Sequence, residues 1–354
     1  MNKISSKHFM FFILGTCTIA LRSYSSIFVR IGGRDTWINS AIASLIILAF
    51  MIFILKICIR TNTYDINIIF SNSMPKFLGS IFKFIFAIGL FLVAIESASV
   101  ESNSVHTNIF LSTPTWYCLL FFLIPAGYIL FKKFNAILIL VITTVSIAIL
   151  GDVALIVLVG KYLEFSNLLP VLGTGFTKEN LICILLILGS ISSMMIAMPF
   201  LKYLNKEKGL ITDSTLAIII ACLFIITSFM SIITFFGPER AGNIFYPEYI
   251  ESQRIQIANF FEFGEIFYIF RSVCMWFLKY ILSSYGIILL YKDIIKNKKI
   301  FISFYSIIVF IISWYLTQNQ YYLFYTLKLL QIALLIPFII VPLISYSMYA
   351  LKHK

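Results

Sequence analysis

Ten apolar runs, each long enough to cross a bilayer, leave this chain few folds to choose from. They cover roughly 8–29, 37–59, 79–103, 115–131, 134–160, 180–201, 213–236, 266–290, 300–317 and 326–350. A hydrocarbon core about 30 Å thick needs about 20 apolar residues per helix. Lipid cannot satisfy free backbone N–H and C=O groups, so the runs must be helical. Composition agrees: 60% of the 354 residues are hydrophobic, 12% are charged and the mean hydropathy is +0.98. Too little polar surface would remain to cover a soluble domain of this length. The chain is read as an all-α polytopic membrane protein.

Lys and Arg alternate between the connections. With the N-terminus inside, the inner segments hold seventeen of the 27 basic residues and the outer loops six (Arg30, Arg34, Lys161, Lys178, Arg240 and Arg254). The positive-inside rule then puts both termini in the cytoplasm. The net charge of +12 is accounted for by these loops, and no basic cluster suits nucleic acid. The first run has no small-residue cleavage site and keeps Arg22, so it reads as a retained span.

Ten spans divide as five plus five, about 8–160 and 180–350 in one integral membrane domain. An odd number per half inverts the second half. Two soft stretches fall in the first span of each half, Gly15-Thr16-Cys17-Thr18 and Gly189-Ser190-Ile191-Ser192-Ser193. Gly and Ser weaken helices through backbone freedom and competing hydrogen bonds. Interrupted helices at equivalent places in inverted repeats point to a midplane binding site. The plainer alternative is close helix packing through small residues. Freed N–H groups would suit a carboxylate and freed carbonyls an ammonium, with the hydroxyls of Thr16, Thr18, Ser190, Ser192 and Ser193 close by.

Charges at membrane depth mark function or pairing. Asp152 lies within span 5 and is read either as the partner of a base such as Lys279 or Lys328, or as a protonatable site. Glu96 and Glu101 close span 3, and either serve the site or are simply solvated. Arg22 is placed to snorkel. Tyr64 to Phe77 reads as a short surface helix. The outer segment Gly237–Glu265 holds five of the fifteen acids. Its Ile250, Ile257 and Phe261 are spaced for one helical face, which suits a lid or docking surface; a solvated connector is the alternative. The six scattered cysteines and three histidines make no disulfide or metal pattern. No P-loop, nucleophile elbow or dinucleotide turn is present, so no enzyme activity, cofactor or metal is expected.

Several short motifs, in order, resemble the B subunit of spore germinant receptors, in the amino acid/polyamine/organocation transporter superfamily. They are Ile4-Ser5 before the first span and Gly32-Gly33-Arg34-Asp35-Thr36-Trp37-Ile38 at the entry to the second. Leu111-Ser112-Thr113-Pro114 precedes the fourth, and Leu168-Leu169-Pro170 with Gly173 precedes the sixth. Tyr246-Pro247 to Ile255, Asn259-Phe260-Phe261-Glu262 and Glu265 follow, with Phe263 where an Arg is usual, then Trp276 and Lys279. The resemblance implies a LeuT-type fold with helices 1 and 6 interrupted. It also implies a nutrient-sensing subunit in the spore inner membrane, acting with A and C subunits on a small molecule, commonly an amino acid. The expected contacts come from helices 1, 3, 6 and 8: Gly15, Thr16, Cys17, Thr18, Glu96, Gly189, Ser190, Ser192, Ser193 and Lys279. An amino-acid permease, proton-coupled through Asp152 or Glu96, is the rival reading, and a membrane anchor without a nutrient site the third.

Overall fold

The computed structural model describes residues 4–173, 175–205, 208–257, 261–262 and 264–353. Its helices are α1 (Ser6–Ser23), α2 (Ser26–Gly32), α3 (Thr36–Arg60), α4 (Ile66–Ser73), α5 (Lys76–Asn108), α6 (Thr115–Phe131), α7 (Phe134–Val159), α8 (Lys178–Ile191), α9 (Leu210–Phe236), α10 (Pro238–Asn243), α11 (Pro247–Gln253), α12 (Gly264–Leu290), α13 (Lys298–Thr317), α14 (Gln320–Leu335) and α15 (Val341–Lys352). Among the described residues, eight helical stretches are long and apolar enough to cross a membrane. The other two of the ten are α6, apolar but 17 residues long, and α1, whose 18 residues include Lys7, His8 and Arg22.

The packing follows the five-plus-five division. Spans 2 and 7 (α3, α9), 3 and 8 (α5, α12), and 4 and 9 (α6, α13) each meet their own counterpart. Span 1 packs on span 7 as span 6 packs on span 2, and span 5 lies on span 8 as span 10 lies on span 3. Even the surface helices correspond: α4 follows span 2, and α10 and α11 follow span 7.

Both interruptions exist, but only one lies where the sequence suggests. In span 6 the α-helix gives way after Ile191 to a tighter 3-10 winding over Ser192–Tyr203. Twelve residues is long for that geometry, which marks hinges when it occurs within a helix. Serine hydroxyls occupy the carbonyls at the junction: Ser192 donates to Gly189 O, and Ser193 to Ser190 O at 2.7 Å and to Thr16 O at 2.9 Å. In span 1, Gly15–Thr18 lies inside an unbroken helix, and the break falls at Tyr24–Ser25 between α1 and α2. One glycine costs a helix only about 1 kcal/mol, and Thr16 bonds back to Ile13 O at 3.0 Å within the turn. Gly15 is a packing position, where an added Cβ would lie 2.6 Å from Leu278 Cδ2. The stretch that breaks is Ser23-Tyr24-Ser25-Ser26, where the Ser23 and Ser26 hydroxyls turn outward to Trp276 Nε1 and Phe245 O.

The Tyr64–Phe77 expectation resolves into α4, capped by the Asp65 side chain on Asn67 N at 2.9 Å. One face, Ile66, Ile69 and Phe70, is buried against the bundle. In the outer segment the single helical face is not formed. Ile250 lies on α11, whereas Ile257 and Phe261 pair across a two-stranded hairpin, β1 (Gln256–Ile257) with β2 (Phe261–Glu262). Asn259, Phe260 and Phe263 lie outside the described residues.

Two of the recognised motifs hold each other. Gly33 takes φ of +55° at the corner between α2 and α3, a conformation that favours glycine. The next two residues then face the loop before span 6: Asp35 Oδ1 accepts from Leu172 N at 2.9 Å, and Arg34 donates to Leu169 O.

Candidate functional site

The Arg22, Ser23 and Tyr24 side chains emerge where α1 ends, and each meets a different partner. Tyr24 and Ser23 point toward spans 3, 8 and 10. Glu96 of α5 accepts from Lys279 Nζ of α12 at 3.0 Å, from the Tyr24 hydroxyl, and from Gln331 Nε2 of α14 at 3.3 Å. Gln331 Nε2 also reaches the Tyr24 hydroxyl at 3.1 Å. Trp276 Nε1 donates to Ser23 Oγ at 3.0 Å, and the Lys279 ammonium lies 5.1 Å from the Trp276 ring centroid. Glu96, Lys279 and Gln331 are 2%, 1% and 0% exposed, so water does not screen the pair. Gln331 Oε1, by contrast, is buried without a hydrogen-bond partner.

Of the ten residues singled out from the sequence, the structure joins Thr16 to Ser193 and Glu96 to Lys279. Cys17, Ser190 and Ser192 are buried close by in sequence on the same two spans. Thr18 bonds back to Leu14 O at 3.4 Å. Gly15 and Gly189 do not face one another. Gly15 faces α12, while Gly189 faces α14 so closely that a Cβ would lie 1.8 Å from Gln331 O. Tyr24 and Gln331 were missed. A tyrosine between serines, and a lone Gln in an apolar run, were the available signals.

A second buried cluster lies beneath the outer segment. Arg22 binds Asp152 at 2.6 Å through Nη1 and Glu248 at 3.0 Å through Nε. Arg271 binds Asp152 at 3.1 Å and also Glu248. Asp152 therefore pairs with neither Lys279 nor Lys328, because α7 packs its Asp152 face against α1 and α12, where the two arginines are. Arg22 does not snorkel: it is 4% exposed and its guanidinium is held between two carboxylates. Glu101 is not solvated either. It is buried and accepts from Ser272 Oγ at 2.8 Å.

The outer segment is thereby fastened inward, which rules out a solvated connector. Beyond Glu248, Tyr246 donates to Asn103 Oδ1 at 2.6 Å and Tyr249 to Asn108 O at 3.0 Å. Ser231 donates to Glu251. The two α11 carboxyls are driven in opposite directions. Burial pushes Glu248 up, but Arg22 and Arg271 outweigh it and hold the carboxyl down at about 2. Glu251 forms no ion pair among the described residues; burial, with the Glu248 charge added, outweighs the Ser231 hydrogen bond and the more distant arginines and pushes it up to about 8.

Two crystal structures of the Eremococcus coleocola manganese transporter share this fold. A mutant form matches with a TM-score of 0.64 at 14% identity, over 96% of this chain and 78% of that one. The complex with an aromatic bis-isothiourea substituted compound matches with a TM-score of 0.64 at 12% identity, over 98% and 85%. No curated protein sequence matches the chain. A family model described as "Spore germination protein" matches residues 3–321, a stretch that includes both buried clusters except Gln331. The chain belongs to the spore germination permease family.

Proposed function

We propose that this protein is the nutrient-sensing integral membrane subunit of a spore germinant receptor, and that its ligand is an amino acid bound between helices 1, 3, 6 and 8. The observation that carries the reading is the buried Glu96–Lys279 pair, set beside the break in span 1 through Tyr24 and against Gln331 of span 10. An anion and a cation 3.0 Å apart are the complement of a zwitterion. A ligand ammonium exchanges for Lys279 on Glu96, and its carboxylate takes Lys279. The two charges are satisfied on each other, so a ligand replaces a charge contact rather than desolvating bare charges. Gln331 Oε1, an unmatched acceptor beside Glu96, supplies one further place for an ammonium N–H.

Thr16 to Thr18 and Gly189 to Ser193, joined through Ser193 and Thr16, form the wall between spans 1 and 6; the hinges through which binding is felt are the Tyr24–Ser25 break and the rewound Ser192–Tyr203 turn. Binding shifts the balance of conformations only through different affinities for them. The Glu248 fastening of α11 is the outer closure. A division into repeats at about 8–160 and 180–350 of one membrane domain belongs to this reading, as do cytoplasmic termini, the spore inner membrane, and A and C subunits docking on the outer segment and inner loops.

The test is thermal unfolding of the detergent-purified chain against the twenty amino acids. A ligand raises the midpoint with the logarithm of its concentration over Kd. One or a few should do so, and Lys279→Met should remove the response. Stabilisation that persists in Lys279→Met would place the ligand elsewhere. An amino-acid permease is the second reading, favoured by the transporter fold. Its proton site would be Glu96 rather than Asp152, because Asp152 is committed to two arginines. Uptake of labelled amino acid by the chain alone in vesicles separates it from the receptor.

A further inference from the structure

Glu101 is the one carboxylate of the span interiors that joins neither cluster. It lies five residues beyond Glu96 on α5, which at 100° per residue turns it to a different face. None of the five ion pairs among the described residues includes it, although it is only 3% exposed. Its one hydrogen bond among the described residues is from Ser272. Arg271 attracts it only from beyond ion-pair distance, being bound to Asp152 and Glu248; a buried carboxylate is costly without a paired cation or further donors, so this position calls for a ligand or a function.

It lines a cleft of about 340 Å³ between α5, α6 and α12. The walls are otherwise nearly all apolar, with Phe110, Tyr117, Phe121 and Phe122 among the lining residues. Tyr117 and Phe121, 5.2 Å apart between centroids, are 46% and 68% exposed and form the mouth. Ser102 Oγ, buried in the same lining, has no hydrogen-bond partner. Apolar aromatic walls with a few polar groups, at the small end of ligand-pocket volumes, describe a site for a compact molecule. The polar groups at its inner end are a carboxylate and a hydroxyl, and the rings attract cations.

We propose that this cleft is a second binding site, separate from the midplane pair, for a small organic cation with an apolar body. Its ammonium pairs with Glu101 and its body lies against Tyr117, Phe121 and Phe122. An arylalkyl amine is the simplest member of the class. A lipid chain would fill the same walls but make no use of the carboxylate.

The experiment uses the purified full chain in detergent at neutral pH, with phenethylamine as probe and 2-phenylethanol as its uncharged counterpart. Phenethylamine should raise the unfolding midpoint saturably, and the alcohol should not. Glu101→Gln should abolish the shift, and Phe121→Ala should raise the half-saturating amine concentration roughly tenfold. Equal shifts from amine and alcohol would overturn the proposal, since the cleft would then be only an apolar groove. So would a shift that survives Glu101→Gln, or no shift in the unaltered protein. If Glu101→Gln does not fold, the amine–alcohol contrast and Phe121→Ala decide between the same outcomes.

Discussion

Lys279 of α12 reaches across the bundle to Glu96 of α5, Nζ to Oε2 at 3.0 Å, with both side chains almost wholly buried. Removing one partner strands the other charge, whereas removing both does not. Breaking a buried pair costs about 3–5 kcal/mol, while replacing the whole pair with neutral groups is often close to neutral. Lys279→Met and Glu96→Gln should therefore each lower the unfolding midpoint strongly. The double variant should recover most of the loss. Additive losses in a double-mutant cycle would show that the two groups are not coupled.

A pH dependence follows from Glu251. Its carboxyl is held at about 8 in the folded protein and returns to the ordinary carboxylate range on unfolding. A raised folded-state value stabilises fully below the unfolded value, and the contribution is lost as pH rises through about 8. Thermal unfolding between about pH 5 and pH 9 should fall less steeply in Glu251→Gln than in the unaltered chain. Parallel curves would mean that Glu251 does not titrate with folding.

Glu248 fastens α11 to two arginines on different spans. Glu248→Ala should leave Arg22 and Arg271 sharing Asp152 alone and loosen the outer segment before the bundle. Hydrogen exchange over residues 238–253 should speed up by tenfold or more, with α5 and α12 little changed. Uniform acceleration would instead show that the cluster holds the whole fold. Tyr246→Phe removes only one hydrogen bond, worth about 1 kcal/mol, and should have a smaller effect on the same segment.

Glycines on spans 1 and 6 should respond differently to a methyl group. At Gly189 the added Cβ meets the Gln331 backbone at 1.8 Å, whereas at Gly15 it meets a Leu278 methyl that can turn aside. Gly189→Ala should destabilise by more than the 1–3 kcal/mol typical of overpacking, and Gly15→Ala by less. Gly127→Ala, with nothing within 4 Å of the added atom, serves as the neutral control. Similar midpoints for all three would contradict the close contact of α8 with α14.

The number and place of the spans are written in the sequence because burial in lipid is a local demand. Each segment must be apolar for bilayer length whatever its neighbours do, so the ten runs match ten helical spans to within a few residues. The five-plus-five order followed from that count, and Gly189–Ser193 marked a true change of winding. Partners were a different matter. Asp152, Arg22, Glu248 and Arg271 are spread over about 250 positions, and nothing in a one-dimensional pattern says which charges the packing of α1, α7, α11 and α12 will bring into ion pairs. Gly15–Thr18 carried the same local softness as Gly189–Ser193, but helix packing against Leu278 kept it wound and moved the break to Tyr24. The sequence alone settled what crosses the membrane. Tertiary structure decided which charges meet, because desolvated ions must be paired wherever the folded bundle puts them.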